Sequence, residues 1–254
     1  VTIPLLKGLR ERDIKYTLYT RADILDEESF ELMEGQCRLM FIGLEAVTES
    51  SLVFMNKTHN VSQYMQQMHK TMELCFRYGV TPQVGVIPNY PTNTRDDVDA
   101  MFHYFEELHE LHDRVVPHGP GFLTTVFNFH IWPGLPHYKN LKELESQGLT
   151  WRFGFPETYH GEQVNQELRR DVMSASHSYS AEAFAVDRFK LYGLAKQTPG
   201  AVENIANYVI GYSNSGEGRH IRTDGREIIW TDEDCDVMDM RAMYGERMAY
   251  LRNS

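Results

Sequence analysis

Short apolar runs alternate with amphipathic helical patterns over the first half of the chain, and this alternation limits the possible folds more than any other feature. The apolar runs are YTLYT (16–20), RLMFIGLE (38–45), PQVGVIP (82–88) and GFLTTVFNFHIWPG (121–134). Helical spacing of apolar residues occurs between them, in DEESFELMEG (26–35) and in the segments that begin at Asn60 and Thr94. Strands that alternate with helices build a parallel sheet through right-handed crossovers. We therefore predict an α/β fold whose strands form a parallel sheet or part of a (β/α) barrel, with 38–45 as a strand buried on both faces.

The second half of the chain has a different pattern, which predicts a mostly helical C-terminal extension. Helical patterns run through 161–197, through 200–214 and through an acidic segment at about 231–250. The segment GRHIRTDGREIIW (218–230) has an Asp-Gly pair between alternating residues, which is typical of a β-hairpin. We therefore divide the chain into residues 1–140, which carry the strand–helix alternation, and residues 141–254, a helical extension with a hairpin near 219–230.

Composition argues against two kinds of partner. The formal net charge of −11 disfavours nucleic acid as the main partner, because binding to its phosphates needs a cationic surface. No apolar run approaches the ~18 residues that cross a membrane.

The cysteines, Cys37, Cys75 and Cys235, are isolated from one another, which predicts free thiols and a reducing compartment, the cytoplasm.

Polar side chains stand where the predicted strands end. Arg21 and Asp23 follow the first strand, Glu45 ends the second, Asn89 follows the third and His130 lies at the end of the fourth. Ligands of parallel α/β proteins bind at the carboxyl ends of the strands, so these residues form the candidate site. Two structural explanations stay open: Arg21 and Glu45 pair with each other as an ion bridge, and His130 is a hydrogen-bonded core histidine.

Other polar clusters are weaker candidates. His109 and His112 fall on what we expect to be the solvated side of an amphipathic helix, and no further metal ligand converges on them. The segment DEDCD (232–236) is expected to be a solvated helix start. We therefore predict no metal ion bound by side chains of this chain. The methionines within 65–72 are expected to face the core.

Several segments resemble, in their order along the chain, landmarks of radical S-adenosylmethionine (SAM) enzymes. They are YTRADIL (19–25), ELMEGQCRLMFIGLEAVTESSLVFMNK (31–57), GVIPNYPTNT (85–94) and WPGLPHY (132–138). The family has Arg-Ala-Asp after a strand, a Gly-(Ile/Leu)-Glu-Ser strand end followed by Met-x-Lys, a Gly-x-Pro-Gly-Glu-Thr turn and a later Pro-Gly-Thr-x-x-Tyr. The resemblance is to the group whose members often carry an N-terminal cobalamin-binding domain. It implies that residues 1–140 are the C-terminal half of a radical SAM barrel.

The resemblance implies a role for each strand-end residue. Glu45 would contact the ribose hydroxyls or the amino group of SAM, and Arg21 would bind its methionyl carboxylate. Val86 and Asn89 would line the adenine side of the ligand, where Gly85 would permit close approach.

Further roles follow from the same resemblance. His130 and Trp132 are expected to face the substrate. The turn VTESS (47–51) would cover the ligand, and the Met-Asn-Lys at 55–57 would cap the next helix. The family's Gly-x-Pro-Gly-Glu-Thr turn reads NYPTNT (89–94) here, and we expect Asn89 to keep the turn in a left-handed backbone.

The Cys-x-x-x-Cys-x-x-Cys loop that binds the family's [4Fe–4S] cluster is not found in this sequence. We expect the cluster ligands upstream of this chain in a longer protein, so that the chain alone would be inactive. The complete enzyme is expected to cleave SAM reductively for radical chemistry, or to use cobalamin for methyl transfer. Its partners would be an electron donor and a small-molecule, natural-product-like substrate.

Two alternatives from other functional classes stay open. One is a non-catalytic, barrel-like binding subunit. The other is a SAM-independent barrel hydrolase or lyase that uses Glu45 and His130 as acid and base.

Overall fold

The computed structural model describes residues 3–153 and 170–196, and the backbone of four further short strands. The helices are α1 (Ile3–Glu11), α2 (Glu27–Met33), α3 (Glu49–Phe54), α4 (Val61–Arg77), α5 (Arg95–Val115), α6 (Pro136–Lys139), α7 (Leu141–Ser146) and α8 (Ala181–Gly193), with a 3₁₀ turn at Ala22–Ile24. The strands are β1 (Tyr16–Thr20), β2 (Cys37–Glu45), β3 (Thr81–Val86), β4 (Leu123–Val126), β5 (His130–Ile131), β6 (Thr150–Phe153), β7 (Glu157–Tyr159), β8 (Glu162–Val164), β9 (Arg170–Ser174), β10 (His220–Thr223) and β11 (Ile228–Thr231).

The first four strands form one parallel sheet in the order β1-β2-β3-β4. In its register Tyr19 lies opposite Phe41, Phe41 opposite Gln83, and Gly85 opposite Thr125. Within the described residues no other strand pairs with β1 or β4, so the sheet does not close on itself there. The α/β class and the parallel sheet are confirmed, and closure into a barrel is not seen in this part of the chain.

The helices cover one face of this sheet. Met40, Ile42 and Leu44 of β2 are fully buried there against core residues of α2, α4 and α5. The other face, which we call the open face, carries half-buried Phe41 and Tyr19, which is 72% exposed. The sequence predicts that β2 is buried on both faces. Among the described residues only the face toward the helices is fully covered.

The two long helices begin where the sequence predicts. The side chain of Asn60 accepts a hydrogen bond from the backbone N–H of Gln63 at 3.1 Å and starts α4, which ends before Gly79 with a φ of +70°. Met68 and Met72 of α4 are fully buried, which confirms the predicted methionine stripe of the core.

The carboxylate of Asp97 joins the N-terminus of α5 to the loop after β2. One oxygen accepts hydrogen bonds from the backbone N–H and hydroxyl of Thr94, and the other from the hydroxyls of Thr48, Ser50 and Ser51. Burial raises the pKa of Asp97, but these hydrogen bonds outweigh burial, so the pKa lies below its usual value. The VTESS turn, expected to cover a ligand, therefore directs its hydroxyls to the start of α5.

The predicted strand at 121–134 is divided in two. β4 continues the parallel sheet, and after 127–129 the chain enters β5, which pairs antiparallel with β9. The side chain of Asn89 stabilises this interruption of the strand. Its oxygen accepts a hydrogen bond from the N–H of Phe129 at 3.0 Å. Its NH₂ group donates to the side chain of Asn128 and to the carbonyl of Val172. The prediction of one continuous strand is wrong because this buried amide takes up backbone groups that a continuous ladder would use.

The segment after residue 141 is less helical than the sequence predicts. β9 is the central strand of an antiparallel sheet in the order β5-β9-β6. Val172 packs into a small core that contains Ile131, whereas the neighbouring Asp171 lies opposite His130. The helix predicted over 161–197 is therefore wrong at β8 and β9 and confirmed at α8.

The remaining C-terminal predictions fall mostly beyond the described residues. β10 and β11 pair antiparallel, with His220 opposite Thr231, around the Asp-Gly pair that predicts a hairpin. The helices predicted at 200–214 and after residue 231 lie outside the described residues, and so do DEDCD and Cys235. No helix in the described part of the chain is long and apolar enough to cross a membrane.

Residues on the two sides of the predicted boundary at 140 pack together. The hydroxyl of Thr124 in β4 donates to the carbonyl of Leu191 in α8 at 2.9 Å. Arg95 at the start of α5 forms an ion pair with Asp187 of α8, whose side chain is buried. α8 therefore belongs to the same core as the parallel sheet.

Asp97→Ala is expected to lower the free energy of unfolding by about 2–3 kcal/mol, because a helix cap and the acceptor of several buried donors are lost. Chemical denaturation measures the change. Asp99→Ala, on the exposed side of the same helix, is the matched control and should cost less than about 0.5 kcal/mol.

The Asp97 contribution has a defined pH dependence. Because the pKa is depressed in the folded protein, the contribution is fully present above the unfolded pKa of about 4, and is lost as the pH falls through the folded value. Equal destabilisation by Asp97→Ala and Asp99→Ala would contradict the role assigned to Asp97.

Candidate functional site

β2 ends in an irregular backbone that turns the Glu45 side chain toward the open face. The register with β3 shifts between Gly43 and Glu45, and Glu45 has a φ of +61°, which is uncommon for a residue other than glycine. The Glu45 carboxylate lies back over Gly43, so a Cβ at residue 43 would overlap it. Non-glycine residues held in this region are strained and cluster at functional sites, which makes Glu45 a candidate on backbone grounds as well.

Lys57 is the counter-ion of Glu45. After α3 the chain turns at Asn56, with a φ of +53°, and the Lys57 side chain returns to the end of β2. Its Nζ forms an ion pair with Oε2 of Glu45 and donates to the carbonyl of Gly43 at 3.0 Å. The side chains of Lys57 and Glu45 are only 14% and 28% exposed. Lys57 therefore neutralises a shielded carboxylate, in place of the helix-capping role expected for Met-Asn-Lys.

Arg21 has a partner of its own. Its Nε and Nη2 donate to the two carboxylate oxygens of Asp23, both at 2.9 Å, and Nη2 also donates to the backbone carbonyl of Lys57 at 3.3 Å. The guanidinium is about half exposed, and its Nη1 makes no hydrogen bond to the described residues. Arg21 and Glu45 therefore do not form the direct ion bridge considered from the sequence, and Lys57 connects them instead.

The charges at the ends of β1 and β2 act on one another. The hydrogen bond to Asp23 raises the pKa of Arg21, and the charge of Glu45 adds to this effect. The pKa of Asp23 is lowered, first by Arg21 and to a smaller extent by the charge of Lys57. Burial raises the pKa of Tyr64, and Glu45 raises it further. We call Arg21, Asp23, Glu45 and Lys57 the strand-end cluster.

Val86 and Asn89 lie away from the strand-end cluster. Val86 is fully buried in the core on the helix side of the sheet, so its side chain faces away from the open face. Asn89 is also fully buried, with its amide engaged in the break after β4. Neither side chain is placed to line a nucleoside on the open face. The left-handed backbone expected at Asn89 occurs at Thr92, with a φ of +74°, where the family's turn has its second glycine.

Aromatic rings cover the strand where the family resemblance implies space for adenine. The rings of Tyr19 and Phe41 have centroids 5.2 Å apart, and those of Phe41 and Phe127 are 5.8 Å apart, edge to face. A Cβ at Gly85 would come within 2.6 Å of the Phe41 ring and 3.0 Å of the Phe127 ring. Gly85 therefore makes room for these rings, which form a row along the open face.

His130 and Trp132 lie beyond the strand-end cluster, in and after β5. Nδ1 of His130 is 2.7 Å from Oδ1 of Asp171, an ion-pair contact that is not aligned as a hydrogen bond. The carboxylate is buried, whereas the His130 side chain is 36% exposed. Trp132 is partly exposed as well. The buried carboxylate of Asp171 therefore contacts His130 while part of the ring stays accessible, so His130 is not the core histidine considered from the sequence.

His109 and His112 of α5 are not on a solvated surface. His112 is fully buried, and Nε2 of His109 lies 2.7 Å from the carbonyl oxygen of Leu194, because α5 packs against α4 and against the end of α8. The expectation of a solvated side is wrong for both. In the described ranges, no group of three or more His, Cys, Asp or Glu side chains could hold a metal ion. Cys37 and Cys75 are buried and free.

Gly43 and Lys57 belong to the site although the sequence did not mark them as site residues. A signal for Gly43 was present, because glycine two residues before a strand-end carboxylate leaves room for that carboxylate to fold back. Lys57 had a weaker signal, an Asn-Lys pair after a short predicted helix. Its contact with Glu45 depends on the path of the chain through α3, which sequence patterns do not define.

Comparison with known proteins finds few relatives. No family model matches the chain. Bacteriochlorophyllide d C-8(2)-methyltransferase from Chlorobaculum tepidum is 25% identical over 103 residues, which are 40% of this chain and 22% of that protein. The match thus spans less than a quarter of the length of the curated relative.

Solved structures with a similar arrangement have low sequence identity to the chain. The radical S-adenosylmethionine methyltransferase TsrM from Kitasatospora setae, with cobalamin and a [4Fe–4S] cluster bound, has a TM-score of 0.48 and 15% identity, over 74% of this chain and 40% of that chain. The cobalamin-dependent S-adenosylmethionine radical enzyme OxsB has a TM-score of 0.41 and 14% identity, over 72% of this chain and 29% of that chain. Each of these two solved structures is matched over less than half of its own length.

Gly43→Ala is expected to push the Glu45 carboxylate away from Lys57, because the added methyl group would overlap it. We expect a loss of about 1–3 kcal/mol in the free energy of unfolding, measured by urea denaturation. Gly8→Ala in α1 is the control, because its Cβ would meet only the end of the Arg12 side chain; it should be neutral or stabilise by up to about 1 kcal/mol. A Gly43→Ala variant as stable as the wild type would show that Glu45 does not lie over Gly43.

Proposed function

We propose that this chain is the S-adenosylmethionine-binding half of a radical SAM enzyme, with β1 to β4 forming the back half of a partial (β/α) barrel. The observation that carries the proposal is the placement of Glu45, a shielded carboxylate in a strained backbone at the end of a parallel strand. It lies on the open face, within electrostatic range of the guanidinium of Arg21. Parallel α/β folds bind ligands at this edge of the sheet.

The charges of the strand-end cluster match those of a SAM-like ligand. We propose that Glu45 accepts hydrogen bonds from the ligand's ammonium group or ribose hydroxyls, and that Nη1 of Arg21 donates to its methionyl carboxylate. The row of Tyr19, Phe41 and Phe127 offers an apolar floor for the adenine or for a substrate. In this arrangement the chain binds and orients the ligand, and the rings exclude water from the open face.

The described residues fit a SAM ligand but do not fit an iron–sulfur cluster. Burial raises the pKa of the Cys37 thiol to about 12 and that of Cys75 well above its usual value, so both stay protonated, whereas cluster ligands are thiolates. The described ranges also lack a group of three potential ligands. We propose that the cysteines that bind the cluster lie elsewhere in the complete protein, so that this chain alone is inactive.

For the complete protein we propose radical chemistry or cobalamin-assisted methyl transfer on a small, natural-product-like molecule, with an external electron donor. The match to a methyltransferase from Chlorobaculum tepidum supports the methyl-transfer form. The buried free thiols of Cys37 and Cys75 support a reducing compartment, the cytoplasm. His130 and Trp132 keep their proposed place near the substrate, because part of each side chain is accessible.

The alternative of a SAM-independent hydrolase or lyase has less support. Its proposed acid and base are Glu45 and His130, and each is engaged by a different partner, Lys57 and Asp171. A non-catalytic binding subunit would keep the strand-end cluster but would not convert SAM. That alternative is tested by incubating the full-length protein with SAM and a reductant and measuring 5′-deoxyadenosine or methylated product.

Glu45→Gln is expected to weaken the binding of S-adenosylhomocysteine to the full-length protein by about 10- to 100-fold, because a charge-assisted hydrogen bond becomes a neutral one. Isothermal titration calorimetry measures the dissociation constant. Glu49→Gln, at an exposed position four residues away, is the matched control and should bind as the wild type does.

Two results would contradict the proposal. Glu45→Gln and Glu49→Gln could bind S-adenosylhomocysteine equally well, which would place the ligand away from Glu45. The wild-type protein could also bind no S-adenosyl compound at all, which would remove the basis for a SAM-dependent function.

A further inference from the structure

The Lys57 ammonium occupies the position that a ligand cation would take. Its Nζ contacts Oε2 of Glu45 and donates to the carbonyl of Gly43 at the end of β2. A primary ammonium group is also the cationic end of the methionyl part of an S-adenosyl ligand. Lys57 and such a ligand would therefore compete for the same acceptors.

The Glu45 carboxylate carries one negative charge and cannot neutralise two cations at once. Oε2 is a buried atom that, apart from its contact with Lys57, accepts no hydrogen bond from the described residues. The other oxygen, Oε1, lies against the backbone at Gly43, where an added Cβ would overlap it. A cation that arrives from the open face therefore replaces Lys57 at Oε2 or binds at Oε1 beside it, where the two cations repel each other.

A displaced Lys57 would keep a counter-ion and its backbone position. The carboxylate of Asp23 is within electrostatic range of Lys57 and contributes a second anion at this edge. The backbone carbonyl of Lys57 accepts a hydrogen bond from Arg21, and its N–H donates to the carbonyl of Leu52 at 3.0 Å. The side chain can thus change partner while the main chain stays in place, and no buried charge is left without a counter-charge.

We propose that Lys57 is a positioning residue that acts as a displaceable counter-ion of Glu45, replaced at that carboxylate by the ammonium group of the S-adenosyl ligand. The inference rests on the proposed function and adds a residue that sets the affinity of the site. Lys57 keeps Glu45 neutralised and correctly folded over Gly43 between binding events. It also makes binding selective, because only a ligand with its own cation can replace it.

The test compares two nucleosides that differ in the cation. S-Adenosylhomocysteine carries an ammonium group, whereas 5′-methylthioadenosine has the same nucleoside and thioether without it. In Lys57→Met the carboxylate is no longer occupied, so S-adenosylhomocysteine should bind about tenfold more tightly than to the wild type. The affinity for 5′-methylthioadenosine should not change. Calorimetry on the full-length protein gives both constants.

Lys57→Arg is the matched control, because it retains a cation and should leave the ratio of the two affinities at the wild-type value. If Lys57→Met does not fold, Lys57→Gln is used, since its amide is neutral and retains a donor for the Gly43 carbonyl. The expected change in the ratio is the same.

Three results would overturn the inference. An unchanged or weaker affinity of the neutral variants for S-adenosylhomocysteine would show that Lys57 does not compete with the ligand. An equal gain for both nucleosides would show that the ribose, and not the ammonium group, meets Glu45. Both of these leave the proposed function intact, whereas absence of binding by the wild type and by every variant would overturn the proposed function together with the inference.

Discussion

The ion pair between Glu45 and Lys57 is the interaction on which the candidate binding edge of this protein depends. Glu45 sits in a left-handed backbone, and its carboxylate lies over a glycine at the end of a parallel strand. Such a conformation costs about 1–3 kcal/mol and persists only when surrounding contacts hold it. Lys57 provides those contacts, because one ammonium group bonds the Glu45 carboxylate and the Gly43 carbonyl together.

The rest of the fold presents this pair at one edge of the sheet. Buried polar groups fix the loops that follow the strands: Asp97 holds the loop after β2 to the start of α5, and Asn89 holds the loop after β4 to β9. The helices fill one face of the sheet with apolar side chains, while the open face carries the row of Tyr19, Phe41 and Phe127. Charge is thus concentrated at the strand ends, above an aromatic surface. This is the combination that a charged nucleoside ligand needs.

Sequence patterns predict the local elements of this protein well, and the reasons are physical. β1 is bounded as predicted, and α4 and α5 start at Asn60 and Thr94 because these side chains cap the backbone N–H groups that follow. The patterns fail where distant residues decide the outcome. The run 121–134 is apolar throughout, but the buried amide of Asn89 breaks it into β4 and β5.

The candidate site was also only partly predictable. Arg21 and Glu45 were marked by polarity at strand ends, a local signal. Asp23 is marked by the same signal, but its pairing with Arg21 and the pairing of Lys57 with Glu45 depend on side-chain direction and on the turn at Asn56, which no periodicity encodes. Val86 and Asn89 follow the same local signal, but β3 directs Val86 toward the core and the Asn89 amide is used within the protein. Alternation along a strand identifies two faces without telling which of them meets a ligand.

A crystal structure of the full-length protein with S-adenosylhomocysteine would test the central claim most directly. The account predicts the nucleoside on the open face, with its ammonium group within hydrogen-bond distance of Glu45 and with Nζ of Lys57 moved away from that carboxylate. A structure in which the ligand binds elsewhere, while Lys57 still covers Glu45, would contradict it.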